Sequence, residues 1–184
     1  MKEKVHRFIW LFMAILFIVT ALGVGVYAFW TNTHNGGSSN PANNYIKCPI
    51  KAVTAKQDKK AGKLQGAKLA GFTPLKHIDY LQCQELKVGT GATATATSTV
   101  TAIYTGALAS NGTIFQSSED TGQPFTASLS SGVIQGWSAG LPGMKVGGQR
   151  RLFIPAQYAY GAQSVAGIPP NSDLVFDITL LAVK

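Results

Sequence analysis

The chain is short of the side chains that make and break covalent bonds. Its three histidines, His6, His34 and His77, are too scattered to supply metal ligands at any usual spacing. Ser117 and Ser118 stand beside Glu119 and Asp120, but no histidine of the domain body completes a nucleophilic triad. Gly143, Gly147 and Gly148 are turn glycines, without the signature of a phosphate loop. There are two cysteines, Cys48 and Cys83, and no Cys-x-x-Cys, which argues against thiol-redox catalysis. The expectation is a protein that needs neither metal nor cofactor.

Acidic side chains are scarce too, 8 against 16 lysines and arginines. The excess is local. Residues 47–76 hold eight lysines against Asp58 alone, a net +7, whereas residues 77–184 sum to −1. The basic segment is therefore a patch beside the domain. Arginine-rich faces are missing, which argues against nucleic-acid binding. Two readings of the patch stand side by side: a contact for an anionic envelope or lipid surface, at about 1 kcal/mol per lysine before screening, or a solvated spacer.

One apolar run is long. Lys2, Lys4 and Arg7 precede Phe8 to Trp30, which carries no formal charge over 23 residues. A hydrocarbon core about 30 Å thick takes about 20 helical residues. Trp10 and Trp30 mark the two headgroup zones. The run predicts a transmembrane signal anchor over 8–30, with residues 1–7 cytoplasmic by the positive-inside rule. Val26-Tyr27-Ala28 also has the small-residue character of a cleavage site, which would release the protein. Either way the rest of the chain is expected outside the cytoplasm. That compartment is oxidising, so Cys48 and Cys83 form a disulfide candidate. Closing that loop stabilises by about 3 kcal/mol on the chain-entropy view. The alternative is two separate thiols.

Residues 31–46 read as a flexible polar linker, rich in Asn, Gly and Ser. Residues 47–76 read as a lysine-rich strap with partial order, leading through Phe72-Thr73-Pro74 onto a domain at 77–184. From about Ile78 the pattern becomes β. Thr95 to Ala107 is rich in Thr, Val, Ile and Tyr with period-two alternation. Ser110-Asn111-Gly112 signals a hairpin turn, which explains Asn111-Gly112-Thr113 better than its formal glycosylation pattern does. Ile114-Phe115 and Phe125 continue the strands, as do Arg150 to Pro155 and Leu174 to Val183, the last with Leu174, Phe176 and Ile178 on one face. Val133 to Leu141 predicts a short helix, capped by Ser130 or Ser131 and ended by Pro142-Gly143. The fold class is α+β.

The stretch from Val133 onward holds an unusual set: Val133-Ile134-Gln135-Gly136-Trp137, Gly143 to Leu152, Ala159-Tyr160-Gly161, Ile168-Pro169-Pro170 and Leu174 to Asp177. Aromatic and branched apolar residues lie among glycines with hardly a nucleophile between them. Taken singly, aromatics at strand spacing are ordinary core. Their collinear order resembles the FKBP-type peptidyl-prolyl cis/trans isomerases over roughly Leu81 to Val183. The resemblance implies a twisted antiparallel sheet half-wrapped around one short helix, with a proline pocket between them. It places Tyr104, Gln116, Ile134 and Tyr160 at catalytic positions. Phe115, Phe125, Val133, Trp137, Ile168 and Phe176 fall at substrate-binding positions. One departure stands out: many members have Asp where this chain has Gln116. An amide still donates and accepts, but carries no charge. The loop from Gln163 to Gly167 is also shorter than in some members, which bears on substrate preference.

The implied activity is rotation of X-Pro bonds in exported or envelope proteins, with proline-containing polypeptide clients and the bilayer as partners. The alternative is a non-catalytic proline-peptide-binding chaperone or scaffold on the membrane surface, a reading that Gln116 favours.

Overall fold

The computed structural model describes residues 63–165 and 167–184, all within one compact unit that spans 42–184. The expected cytoplasmic tail, anchor, linker, most of the strap, and Cys48 lie outside the described residues. No helix among the described residues is long and apolar enough to cross a membrane.

Among the described residues, six strands and one short α-helix follow in order: β1 (Gln82–Lys87), β2 (Thr99–Leu108), β3 (Ile114–Ser117), β4 (Phe125–Ser128), α1 (Gln135–Gly140), β5 (Gln149–Ile154) and β6 (Leu174–Val183). Every pairing between strands is antiparallel, in the order β1-β5-β6-β2-β3, with β4 paired to the first half of β2. The expected α+β class and its sheet are present. Alternation sorts the side chains onto two faces. Leu152 and Ile154 of β5, and Leu174, Phe176, Ile178 and Leu180 of β6, join a core with Trp137 and Leu141. Val175, Ala107, Ala109 and Ile114 face the other way, into a second core with Leu64, Leu69 and Ile78.

The β2–β3 turn falls where Asn-Gly predicts it. Gly112 has φ +71°, and the Asn111 carboxamide accepts from the Thr113 N–H at 2.7 Å. Beside the turn the register shifts between Gly106 and Ala107, which pair with Gln116 and Ile114 and leave Phe115 of β3 as the extra residue of a bulge.

The helix is shorter than Val133–Leu141 and is not capped by a serine. Ile134 is its N-cap, extended at ψ 151°, with no side-chain hydrogen bond. Ser128 and Ser130 bond one another at 2.9 Å, and the Ser131 N–H turns back to the Ser128 carbonyl. The serines therefore close the turn after β4, and helical geometry begins four residues later. The helix approaches β5 very closely. A Cβ on Gly136 would lie 2.5 Å from Ile154 Cγ2, and one on Gly140 would lie 2.8 Å from Leu152 Cδ2. Two glycines four apart on one helix face make that contact.

Arg150 fixes the other end of the helix. Its guanidinium donates to the Gly140 and Pro142 carbonyls, at 2.6 and 3.3 Å, and pairs with Glu85 on β1. A buried cation thus meets the negative end of a helix and a carboxylate together.

Candidate functional site

Five aromatic rings meet above α1. Trp137 lies third in the helix and is 4% exposed. Tyr104, Phe125 and Phe176 stand nearly perpendicular to it, with centroids at 5.4, 5.9 and 5.6 Å. Phe115 meets Phe176 edge-on at 5.7 Å, and Phe125 meets Tyr104 at the same distance. Edge-to-face pairs of this kind add about 0.5–1.5 kcal/mol each beyond area burial.

The strands set this nest through register. Gly106 of β2 is the partner of both Gln116 on β3 and Phe176 on β6. Only glycine fits there, since a Cβ would lie 2.6 Å from the Phe115 ring and 2.7 Å from the Phe176 ring. Ser118 Oγ accepts from the Tyr104 N–H at 2.9 Å, and Ser117 Oγ bonds Thr105 Oγ1 at 2.9 Å. The two buried serines clasp β3 to β2 beside Tyr104. Residue types alone do not show this role, because the partners Tyr104 and Thr105 lie 14 and 12 residues away.

The buried floor of the nest consists of Trp137, Phe115, Phe176 and Ile168. Its half-buried rim consists of Tyr104, Phe125, Val133, Ile134 and Tyr160, all packed against that floor. Ile168 arrives on a tight loop: its N–H donates to the Val165 carbonyl at 2.7 Å, and Gly167 turns at φ +80° beside Phe115. Tyr160 follows a single 3₁₀ turn, Ala156–Tyr158, after β5. Gln116 is exposed on β3. The structure thus gathers the floor and rim positions expected from the sequence into one place, with Gln116 on the strand beside them.

Polar groups in the nest are few. The Trp137 indole N–H is buried with no hydrogen-bond partner. The Ile134 N–H, at the mouth of the helix, has no acceptor among the described residues. Burial pushes the Tyr104 phenol far above its ordinary range, and the nearby Tyr160 phenol raises it further. Burial raises Tyr160 likewise. Both hydroxyls therefore remain protonated donors at neutral pH. What the site offers is an apolar aromatic surface with a handful of neutral donors, suited to holding an uncharged group and bonding its carbonyl.

Cys83 lies buried on β1 and is disulfide-bonded. The other cysteine of the chain, Cys48, is outside the described residues.

Comparison with known proteins agrees with this geometry. Residues 91–181 match the FKBP-type peptidyl-prolyl cis-trans isomerase family. FK506-binding protein 4 of Emericella nidulans is 40% identical over 144 residues, 78% of this chain and 30% of that protein. Among solved structures, FkpA from Escherichia coli aligns with TM-score 0.53 at 44% identity, covering 56% of this chain and 48% of its own. A peptidyl-prolyl cis-trans isomerase from Pseudomonas syringae pv. tomato aligns with TM-score 0.52 at 39% identity, covering 60% of this chain and 80% of its own. The chain belongs to the FKBP-type peptidyl-prolyl cis-trans isomerase family. It spans under a third of the length of the curated relatives it matches, 30% and 23% of two of them.

Proposed function

We propose that this chain accelerates cis/trans rotation of X-Pro bonds by binding the twisted imide in the nest floored by Trp137. Rotation must cross about 18–20 kcal/mol because resonance holds the amide planar. Uncatalysed exchange takes tens to hundreds of seconds. Twisting localises the nitrogen lone pair and reduces charge separation, so an apolar surface favours the twisted form over the planar one. The Ile134 N–H or the Tyr160 hydroxyl would hold the substrate carbonyl while the ring of the proline rests on the indole. Catalysis is then preferential binding of the transition state, with no covalent intermediate. A hundredfold acceleration asks for about 2.7 kcal/mol of such preference.

The observation that carries this reading is the buried five-ring nest with a half-exposed rim and neutral donors at its edge. Relatives named for FK506 support the further expectation that this macrolide competes for the same surface. Exposed Gln116 favours a second reading, a holdase that binds proline peptides without turning them over. We also propose that residues 8–30 anchor the domain at the outer side of a membrane, where exported or envelope proteins are the clients, and that the lysines of 47–76 meet its anionic surface.

The test uses the full chain and a proline tetrapeptide, followed for binding and for relaxation in parallel. Isomerisation that FK506 abolishes supports the catalyst. Peptide binding with relaxation no faster than in buffer selects the holdase.

A further inference from the structure

The strap enters the fold in a way its composition hides. The segment from Leu64 to Ile78, the end of the strap and the first two residues of the domain, crosses the back of the sheet and touches the β3–β4 and β5–β6 connections, next to Phe125 and Tyr160 of the rim. At its start, the Leu64 and Gln65 N–H groups donate to the two oxygens of Asp120, at 2.6 and 3.0 Å. Asp120 closes the 3₁₀ turn that links β3, with Phe115 and Gln116, to Phe125 on β4. At its end, the Ile78 N–H donates to Asp173 Oδ2 at 2.8 Å, and His77 Nδ1 lies 2.8 Å from the same oxygen. The other oxygen, Asp173 Oδ1, accepts from the Ala156 N–H at 2.8 Å, in the turn that leads to Tyr160.

Between these ends the segment is held at several points. Residues 66–69 pair with the β2–β3 hairpin: the Gly66 N–H donates to the Ile114 carbonyl, and the Leu69 N–H to the Gly112 carbonyl. Arg151 forks onto Asp177 and donates to the Ala70 and Gly71 carbonyls, with Phe72 under its guanidinium at 5.7 Å. The carboxylates of Asp120 and Asp173 thus tie the two ends of one short segment, by charge-assisted bonds, to the β3–β4 and β5–β6 connections.

We propose that the strap is a brace for the site, and that Asp120 and Asp173 are positioning residues that hold Phe125 and Tyr160 at their places on the rim. Neither carboxylate belongs to the nest, so each acts through the loop it ties down. Loops carry the least local stability in a fold, and ordering them in advance spares the substrate that entropy. The proposal rests on the isomerase reading, but its structural half is measurable without turnover.

The experiment follows amide hydrogen exchange and isomerisation for the full chain, Asp120→Ala and Asp173→Ala, with Asp120→Asn as the milder variant should the alanine not fold. Exposed Gln82 on β1 supplies a control, Gln82→Ala. The expected result is faster exchange over 115–125 in the first variant and over 156–161 in the second. Exchange in β2 and β6 and the rate of the control stay unchanged. The catalytic efficiency kcat/KM falls about tenfold in both alanine variants, and Asp120→Asn, which keeps one acceptor oxygen, falls less. Faster exchange confined to 63–79, with kcat/KM as in the wild type, would overturn the brace. An inactive wild type would remove the isomerase reading instead and leave the exchange comparison to decide the structural half.

Discussion

Trp137 and Tyr160 answer different demands of the proposed chemistry, one a surface and the other a donor. Replacing Tyr160 by Phe keeps the ring on the rim and removes only the hydroxyl. If that hydroxyl holds the substrate carbonyl, kcat/KM falls about five- to tenfold, the size of one modest hydrogen bond, while the thermal midpoint hardly moves. Steady-state kinetics beside a melting curve check both halves. The two phenols also fix a pH dependence. Their native pKa values are raised by burial, so the native state holds protons that the unfolded state releases above about 10. The stability they contribute is complete below that point and is lost as pH rises through their native values. Urea midpoints are expected to be flat for these groups up to about pH 9 and to fall beyond about 10. The isomerase rate of the folded protein should show no tyrosine ionisation across the neutral range.

At the scale of elements, the approach of α1 to β5 is the tightest joint behind the site. A methyl group on Gly136 would meet the Ile154 side chain at 2.5 Å, and that side chain is itself fully buried. Gly136→Ala improves helix propensity by at most about 1 kcal/mol, whereas overpacking costs about 1–3 kcal/mol. The second effect prevails, so the denaturation midpoint is expected to drop with the slope unchanged. A rise in midpoint would mean that helix and strand move apart freely, and that Trp137 is not held from below. The helix start shows what patterning cannot convey. Apolar residues begin at Val133, yet Ile134 is extended and helical geometry starts only at Gln135. Nothing in the residue types distinguishes the two.

For the whole molecule, the two faces of the sheet differ in how well the sequence announces them. Period-two alternation in Leu174, Phe176 and Ile178 identified the helix-side face, and the collinear aromatics identified the nest. The back face was less legible. Leu64, Leu69 and Phe72 are spaced irregularly among lysines, yet the first two are buried and the third is half-buried against Phe153. Arg150 and Arg151 stand in a legible strand, but their partners Glu85 and Asp177 lie 65 and 26 residues away. Such pairings are set by strand register, which composition does not encode. A chain cut to 77–184 therefore loses its cover over Ile114 and Val175, and with Cys48 it also loses the Cys83 disulfide. With about 1.5–3 kcal/mol for each large side chain withdrawn, it should melt well below the full chain. An equal midpoint would show that residues 64–76 contribute nothing to the fold.

The central claim is that an aromatic, water-poor surface speeds rotation about a prolyl bond. Exchange spectroscopy on a proline tetrapeptide, with the full chain at catalytic amounts, measures this at equilibrium. The account predicts cross-peaks between the cis and trans signals within seconds, and their loss when Trp137→Ala, confirmed as folded, replaces the wild type. Wild-type protein that is folded and binds the peptide, yet leaves exchange at the rate of buffer alone, would contradict it.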